Sequence, residues 1–285
     1  MIGVHDKVTR EHLPMSCIIQ ESNLRRIAVL VFGIAGISFQ ANMVSAGVVI
    51  QTPVGVGPTD HFRIIFVTSG TTTATSNNIA DYNAFVNSQA GGATYQGQVI
   101  QWSAIASTNT VSAYSNTNSG TNSAVYMVDG TEVASSTTNR AGGLWSSTLL
   151  APPNEGINGT KYTSGMVWTG TSGNGLEYST AIFGGYGLGS NNSGYNPYSH
   201  VNVFSAPQVQ VGFISTSQLG SSWVQEPNMS ATVTPGLSTW TNTHQMYAIS
   251  QELTMAPEPS TLLSAVVGLL VITFVWRRHS GTSAS

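Results

Sequence analysis

Hydrophobic residues follow two different patterns along the chain. Near the two ends they form continuous apolar runs, at residues 27–39 and 262–276. Between these runs they occur in short segments, separated by stretches rich in Ser, Thr, Asn and Gly. Long apolar runs are typical of membrane-inserting helices, whereas short apolar segments bounded by turn residues are typical of strands. The pattern therefore predicts an α+β, β-rich body with long polar loops between two terminal hydrophobic helices.

One segment of the body is much more apolar than the others. Residues 62–67 are apolar except for Arg63, which predicts a buried strand, and the polar stretch 68–76 then forms a loop. Further short strands are predicted at residues 98–106, 125–128, 131–134, 166–169, 201–204, 209–214, 223–225 and 246–253.

Residues 78–90 carry the helix that the pattern predicts within the body. Asn78, followed three positions later by Asp81, resembles a capping box at the start of a helix. Gly91 and Gly92 end the pattern. The apolar residues that recur at helical spacing are Ile79, Tyr82, Phe85 and Val86.

Two turn signals complete the outline of the body. Asp129-Gly130 predicts a two-residue hairpin, because both central positions of that turn take positive φ. Residues 172–199 predict a long loop rich in Gly, Asn and Tyr, a common place for binding. We expect its tyrosines to pin the loop to the core, with stacking on sugar rings as the alternative. These tyrosines are Tyr178, Tyr186, Tyr195 and Tyr198.

The N-terminal region has the layout of a secretory signal peptide. Arg25-Arg26 precede the apolar run 27–39, and Val44-Ser45-Ala46 offers a small-residue cleavage site after Ala46. Residues 1–46 are therefore expected to be a leader and signal peptide read by the general secretion machinery, with Met15 as a possible true start. An uncleaved N-terminal anchor is the alternative.

The C-terminal region, residues 257–285, combines three features in a fixed order. Pro257-Glu258-Pro259 precede the apolar run, and Arg277-Arg278 follow it. The 15-residue run spans about 22 Å as a helix, short against a hydrocarbon core of about 30 Å. The prolines keep a helix from extending backwards, and the arginines favour the cytoplasmic side.

These three features together resemble the PEP-CTERM sorting signal of Gram-negative-type bacteria. The resemblance implies recognition by an exosortase, only transient anchoring in the inner membrane through residues 262–276, and delivery to the cell surface or an exopolysaccharide matrix. The tail from His279 to Ser285 is longer and more polar than such signals usually have. An ordinary C-terminal membrane anchor is the alternative.

The predicted exported region, residues 47–256, has an unusual charge and cysteine content. Its basic residues are Arg63, Arg140 and Lys161, against eight acids, for a net charge of −5. Nucleic acid is an unsuitable partner, because phosphate binding needs clustered Lys and Arg. The one cysteine, Cys17, precedes the signal's apolar run, so the exported region has no disulfide.

Several short motifs of the exported region carry a further resemblance. They lie at residues 66–69, 78–90, 102–107, 125–131, 144–145, 167–171 and 246–254. Together they resemble a family of bacterial secreted domains with an endostatin and C-type lectin-like fold. The resemblance implies a twisted antiparallel sheet, few helices and chain ends that lie close together. This chain departs from most such domains in lacking disulfides.

Candidate catalytic residues form no recognisable enzyme motif. The region has no Gly-x-Ser-x-Gly elbow, and its histidines, His61, His200 and His244, are scattered. A glycosidase would need paired carboxylates, and Glu177 and Glu226 have no evident partner in the sequence.

A calcium and sugar site is the most specific ligand hypothesis. Glu226-Pro227-Asn228 matches the Glu-Pro-Asn tripeptide of mannose-type C-type lectins, and Trp240-Thr241-Asn242 partly matches their later Trp-Asn-Asp. The resemblance implies calcium ligands at Glu226, Asn228 and Asn242, whose oxygen atoms suit a hard cation. A simple turn at Pro227 and Asn228 is the alternative.

From these observations we expect a non-enzymatic protein of the cell surface or extracellular matrix that binds polysaccharide or another matrix protein. A secreted carbohydrate-active hydrolase and a purely structural matrix component are the alternatives.

Overall fold

The structure is a computed structural model, and the residues that it describes begin at Gly47. The described residues are 47–119, 121–138, 143–145, 148–180, 184–192, 195–196, 201–202, 204–217, 219–225 and 236–255. The predicted signal peptide with Ala46 and the predicted sorting signal lie outside them, as do Glu226 and Asn228. Within the described ranges, no helix has the length and apolar character needed to cross a bilayer.

The described chain is β-rich, as the sequence predicts, with two α-helices and one 3-10 turn. The first half contains β1 (His61–Val67), α1 (Ile79–Gln89), β2 (Thr94–Tyr95), β3 (Gln98–Val99), β4 (Trp102–Ala104), α2 (Ala113–Asn116), β5 (Ala124–Tyr126) and β6 (Glu132–Ala134). The second half contains β7 (Ser164–Trp168), β8 (Ser179–Thr180), β9 (Gly184–Gly185), β10 (Tyr195–Asn196), β11 (Val201–Asn202), β12 (Gln208–Ser215), the 3-10 turn (Ser221–Trp223), β13 (Leu237–Thr239), β14 (Gln245–Ser250) and β15 (Leu253–Thr254).

Nine strands form the main sheet, in the order β13-β12-β7-β14-β1-β5-β6, with β4 paired to β14 and β15 paired to β1. The expected antiparallel sheet is wrong in one respect, because the pairs β1/β5 and β7/β14 are parallel. A parallel pair needs a long crossover. The segment from β1 to β5, which contains α1 and α2, supplies one crossover, and the segment from β7 to β14 supplies the other.

The two central strands, β1 and β14, are buried on both faces of the sheet. On β1, Phe62, Ile64 and Phe66 face one hydrophobic cluster, whereas Ile65 and Val67 face a second cluster on the other side. A strand covered on both faces has no polar side to alternate with its apolar side. This confirms the buried strand predicted from the continuous apolar run.

Helix α1 begins and ends where the local signals predict. The Asn78 side chain accepts a hydrogen bond from the Ala80 amide at 3.2 Å, and Asp81 accepts one from the Asn78 side chain at 3.3 Å. Tyr82 and Val86 bury the inner face of the helix. The chain leaves the helix through Gly91 and Gly92, whose φ angles are 59° and 73°.

The hairpin predicted at Asp129-Gly130 is present, but its turn is longer than predicted. Only Gly130 of the two takes a positive φ, 85°. Its amide donates to the Met127 carbonyl at 3.0 Å, and the Met127 amide donates to the Thr131 carbonyl at 2.8 Å. The register shifts between Val125 and Tyr126. The four residues Met127 to Gly130 form a turn that ends in a glycine bulge. In this turn Asp129 does not need the positive φ that a two-residue turn would require of it.

The predicted strand at residues 223–225 is wrong. Trp223 instead closes the 3-10 turn, and its ring stacks on Trp145 with ring centroids 5.9 Å apart. Burial of a large ring outweighs the weak strand preference of so short a segment. Trp102, Trp145 and Trp168 are all buried in the core.

The two ends of the described body meet around β2. The Ile50 amide donates to the Thr94 carbonyl at 2.8 Å, so the first described segment pairs with β2. At the other end, Leu253 of β15 lies opposite Phe62 of β1. The Phe62 ring contacts Tyr95 of β2 edge-on, with ring centroids 5.3 Å apart. Both ends therefore approach the same region of the surface.

Candidate functional site

A groove opens where two paired strands separate. Strands β4 and β14 pair through Ser250, opposite Trp102, and the Gln251 amide still donates to the Gln101 carbonyl at 2.8 Å. Beyond that point β3 pairs with β2, and β15 pairs with β1. The resulting gap has a volume of about 390 Å³. It is lined by Tyr95, Gln96, Gln98, Val99, Ile100, Gln251, Glu252, Leu253 and Thr254.

The floor of the groove is apolar. Tyr95, Ile100 and Leu253 are buried, and the Tyr95 ring is held against Phe62. Val99 is 57% exposed and extends the apolar surface toward the rim. A single exposed valine is ordinary on a protein surface, so Val99 matters here only because it continues the apolar floor.

The rim is formed by amide side chains from two segments that are distant in the sequence. Gln96 and Gln98 come from the β2–β3 hairpin, and Gln251 comes from the link between β14 and β15; all three are exposed. Each amide both donates and accepts hydrogen bonds. An apolar floor below such a rim provides a surface for a ligand that has both C–H groups and hydroxyl groups.

The turn that carries the rim is conformationally strained. Gln96 has φ 49° and Gly97 has φ 78°, as in a two-residue turn that normally uses Asn or Asp before Gly. Left-handed φ is uncommon for glutamine. The Gln96 amide nitrogen donates to the Tyr95 hydroxyl at 3.2 Å, and that hydroxyl also contacts the Thr52 hydroxyl at 2.9 Å. Strain of this kind is found more often at functional sites than elsewhere.

Glu252 places a carboxylate at the edge of the groove. One of its oxygens lies 3.2 Å from His61 Nδ1, and the other accepts a hydrogen bond from the Ser123 hydroxyl. The Thr254 hydroxyl contacts the same His61 nitrogen at 3.0 Å. These contacts hold the orientation of a side chain that is still 31% exposed. Each carboxylate oxygen retains a lone pair for a ligand.

A buried arginine, Arg63, lies within electrostatic range of this carboxylate. Its guanidinium is buried and donates to the Thr117 and Asn118 carbonyls. Burial lowers the pKa of Arg63, and the negative charge of Glu252 acts in the opposite direction. Among the described side chains, its Nε is one of three buried polar atoms without a hydrogen-bond partner.

Of the three predicted calcium ligands, only Asn242 lies in the described ranges. It sits in the turn between β13 and β14, where its amide nitrogen donates to the Ser238 hydroxyl at 3.0 Å. No group of three His, Cys, Asp or Glu side chains that could hold a metal ion occurs among the described residues. The calcium hypothesis for Glu226, Asn228 and Asn242 therefore stays a prediction.

A serine of β13 and a histidine just before β14 form a pair across this turn that sequence reasoning missed. The Ser238 hydroxyl lies 2.9 Å from His244 Nε2, and burial lowers the pKa of His244. A nucleophile and base meet at this distance, but the base also needs an orienting group. The His244 ring packs edge-on against Trp168 at 4.5 Å, and no described carboxylate contacts it. We interpret the pair as a support of the β13–β14 turn.

Glu177, a possible glycosidase carboxylate in the sequence, lies in the glycine-rich loop. Burial raises the pKa of Glu177 above its usual value, although a hydrogen bond from the Gly187 amide at 3.2 Å acts in the opposite direction. A side chain at Gly185 would collide with the carboxylate. In the same loop Tyr186 is buried, which supports pinning for that tyrosine, and its ring lies 6.0 Å from Tyr178. The side chains of Tyr195 and Tyr198 lie outside the described part.

Comparison with known proteins assigns the chain to no family. No protein-family model matches the chain. No curated protein matches its sequence either. The functional interpretation of the groove therefore depends on the chemistry of its own residues. The sequence signals that could have identified them are the Gln96-Gly97 turn and an acid, Glu252, placed directly after a strongly apolar strand.

Proposed function

We propose that this chain is an exported, non-enzymatic protein of the cell surface or extracellular matrix, and that the groove between β3 and β15 binds polysaccharide. The observation that carries the proposal is the combination of an apolar floor with an amide and carboxylate rim. Ligand sites commonly have this composition, and a volume of about 390 Å³ lies within the usual range of about 300–1,000 Å³.

Each wall of the groove has a distinct role toward a sugar. The apolar surface of Val99 and Leu253 faces the C–H side of a pyranose ring. Gln98 and Gln251 exchange hydrogen bonds with its hydroxyl groups. Glu252 accepts from one or two hydroxyls, and a charged acceptor forms stronger hydrogen bonds than an amide does. Polysaccharide suits the groove better than a folded protein, since the site is concave and small.

Two terminal segments support the location. The resemblance of residues 257–285 to a PEP-CTERM signal supports sorting by an exosortase, and residues 1–46 support entry into the secretion machinery. The polar, weakly charged body suits a hydrated matrix. In addition, β15 ends at Thr254, shortly before Pro257, so the groove lies near the point where the tail begins.

A hydrolase is the alternative from another functional class. The two-carboxylate mechanism needs a second acid facing the first across the scissile bond. Glu252 is the one acid among the residues that line the groove, all of which are described. This supports binding over hydrolysis. A purely structural role is the third candidate and predicts no saccharide binding at all.

The test is binding of the full-length protein to a panel of neutral, amino and acidic polysaccharides, measured by calorimetry on soluble oligosaccharides of those that bind. Glu252→Gln should weaken binding about fivefold, the equivalent of about 1 kcal/mol for one weakened hydrogen bond. Glu132→Gln, at a half-buried acid on β6, is the matched control and should change nothing.

Two results would contradict the proposal. Binding to no polysaccharide would favour the structural role, and equal affinity for the two variants would place the sugar elsewhere. A fall in affinity on calcium removal would instead support the separate site predicted at Glu226, Asn228 and Asn242. Release of reducing sugar ends that Glu252→Gln abolishes would favour the hydrolase.

A further inference from the structure

A second cluster of reactive side chains lies away from the groove, around the only lysine of the predicted exported region, Lys161. Its Nζ lies 2.7 Å from Asp129 Oδ2 and 3.6 Å from Glu155 Oε2. The three residues come from the β5–β6 turn and from the segment that precedes β7. A primary amine thus touches one carboxylate while a second carboxylate stands beside both.

Glu155 is the fixed member of the cluster. Its side chain is only 2% exposed. Its Oε2 accepts a hydrogen bond from the Asp129 amide at 3.0 Å, and its main-chain carbonyl accepts one from the Val67 amide at 2.8 Å. The glutamate is therefore anchored to the central strand and faces the amine and its partner instead of solvent.

Asp129 is held with one oxygen directed at the amine. Its other oxygen, Oδ1, accepts from the Thr131 amide at 2.9 Å. Burial acts to raise the pKa of Asp129, but hydrogen bonds from Lys161 and Thr131 together lower it below its usual value. The Met127 sulfur also lies 3.9 Å from Nζ. The carboxyl group and the amine therefore cannot separate without breaking several contacts.

We propose that Lys161 and Asp129 condense to form an internal amide cross-link, with Glu155 as the proton carrier. One proton passes from the Lys161 ammonium through Glu155 to the Asp129 carboxylate. The neutral amine then forms a C–N bond to Asp129 Cγ. A second proton leaves the nitrogen through Glu155 and joins the departing hydroxyl, and the C–O bond breaks. One ammonium and one carboxylate become one amide and one water, so no oxidant or cofactor is needed.

Two physical reasons support this assignment over a plain ion pair. Fixing an amine against a carboxyl group gives an effective concentration far above that of any free reactant, and a positioned acid and base lowers the barrier to proton transfer. An exposed ion pair alone is worth little stability, and Lys161 and Asp129 are 44% and 37% exposed. A cross-link would also supply the covalent tie that a region without cysteine lacks.

The experiment is digestion of the full-length protein by a glutamate-specific protease, followed by mass spectrometry. Glu132 and Glu155 lie between Asp129 and Lys161, so complete cleavage separates them unless an amide joins them. The expected product is a joined pair of peptides, lighter by one water, whose fragmentation places the link at Asp129 and Lys161.

Variants identify the role of each residue. Lys161→Arg keeps the positive charge but is not a nucleophile, and it should give only separate peptides. Asp129→Asn should give the same joined product after loss of ammonia. Glu155→Gln should slow formation of the link at least tenfold. In this variant, cleavage after Glu132 still separates Asp129 from Lys161 unless the link has formed. Circular dichroism of each variant checks that it folds.

Three outcomes would overturn the inference. One is unjoined peptides from the wild-type protein after prolonged incubation. Another is loss of water confined to the Asp129 peptide and retained in Lys161→Arg, which would mean that Asp129-Gly130 had cyclised by itself. The turn opposes that reaction by tying the Gly130 amide to Met127. The last is an unchanged rate of cross-linking in Glu155→Gln, which would remove the proton carrier.

Discussion

The sharpest prediction about the groove concerns Gln96. Its strained backbone should lower the stability of the protein, whereas its side chain should contribute to binding. The residue adopts a φ of 49° in the turn at the rim. We predict that Gln96→Asn stabilises the protein and weakens polysaccharide binding. Asparagine tolerates the left-handed conformation better than glutamine, so it fits the first position of this turn. Its side chain is one methylene shorter, so it reaches less far over the groove.

The magnitude follows from two opposing terms. Relief of the left-handed strain is worth about 1 kcal/mol. Loss of the hydrogen bond from Gln96 to the Tyr95 hydroxyl, which is partly exposed, costs about 0.5 kcal/mol. The free energy of unfolding should therefore rise by about 0.5 kcal/mol, and the melting temperature by about 1–2 °C for a domain of this size. The loss of one rim contact should weaken binding about threefold to tenfold.

The assay combines urea unfolding with calorimetric titration of the oligosaccharide that the wild-type protein binds best. Gly97→Ala is the matched control at the neighbouring position, where φ is 78°. It should destabilise the protein by about 1 kcal/mol, because alanine is unfavourable there. If Gln96→Asn destabilised the protein, or if it left the affinity unchanged, the link between strain and binding at this turn would be refuted.

Three further predictions concern the body of the protein. Phe66→Ala should cost about 4 kcal/mol in urea unfolding, since the ring is buried and packs on Trp102 at 4.8 Å. Gly130→Ala should cost about 1 kcal/mol in thermal unfolding, since its φ is 85°, and an unchanged melting temperature would contradict the turn. Burial lowers the pKa of His244 in the folded protein below 6.5. The stability that depends on neutral His244 should therefore be fully present above pH 6.5 and be lost as the pH falls through the folded pKa. His244→Gln should remove this pH dependence from thermal melts.

Several elements could be predicted from the sequence because their signals are local. The apolar run of β1 predicts burial on both faces, and the Asn78 cap with Gly91 predicts the limits of α1. The hairpin at Gly130 was also recognisable, although not its bulge. Each of these depends on neighbouring residues, whose spacing decides which backbone conformation satisfies the main-chain hydrogen bonds.

Other elements depended on contacts that no local pattern encodes. Trp223 entered a 3-10 turn because Trp145 offers its ring a partner. The parallel pairing of β1 with β5 followed from a long crossover. The signal peptide and the C-terminal sorting signal stay predictions, since they lie outside the described residues.

The candidate sites show the same division. Residues 95–100 and 251–254 form the groove only because two strands separate after Gln251 and turn to different partners. Lys161 is the only lysine of residues 47–256, yet nothing in the sequence pairs it with Asp129 or Glu155.

By itself, the sequence determined which segments are apolar enough to be buried and where helix and turn begin. The tertiary structure alone decided which polar side chains meet, at the groove and around Lys161. The physical reason is that burial and turn formation depend on residues close in the chain, whereas a binding or reactive site depends on the approach of distant segments. That approach is set by the packing of the whole sheet.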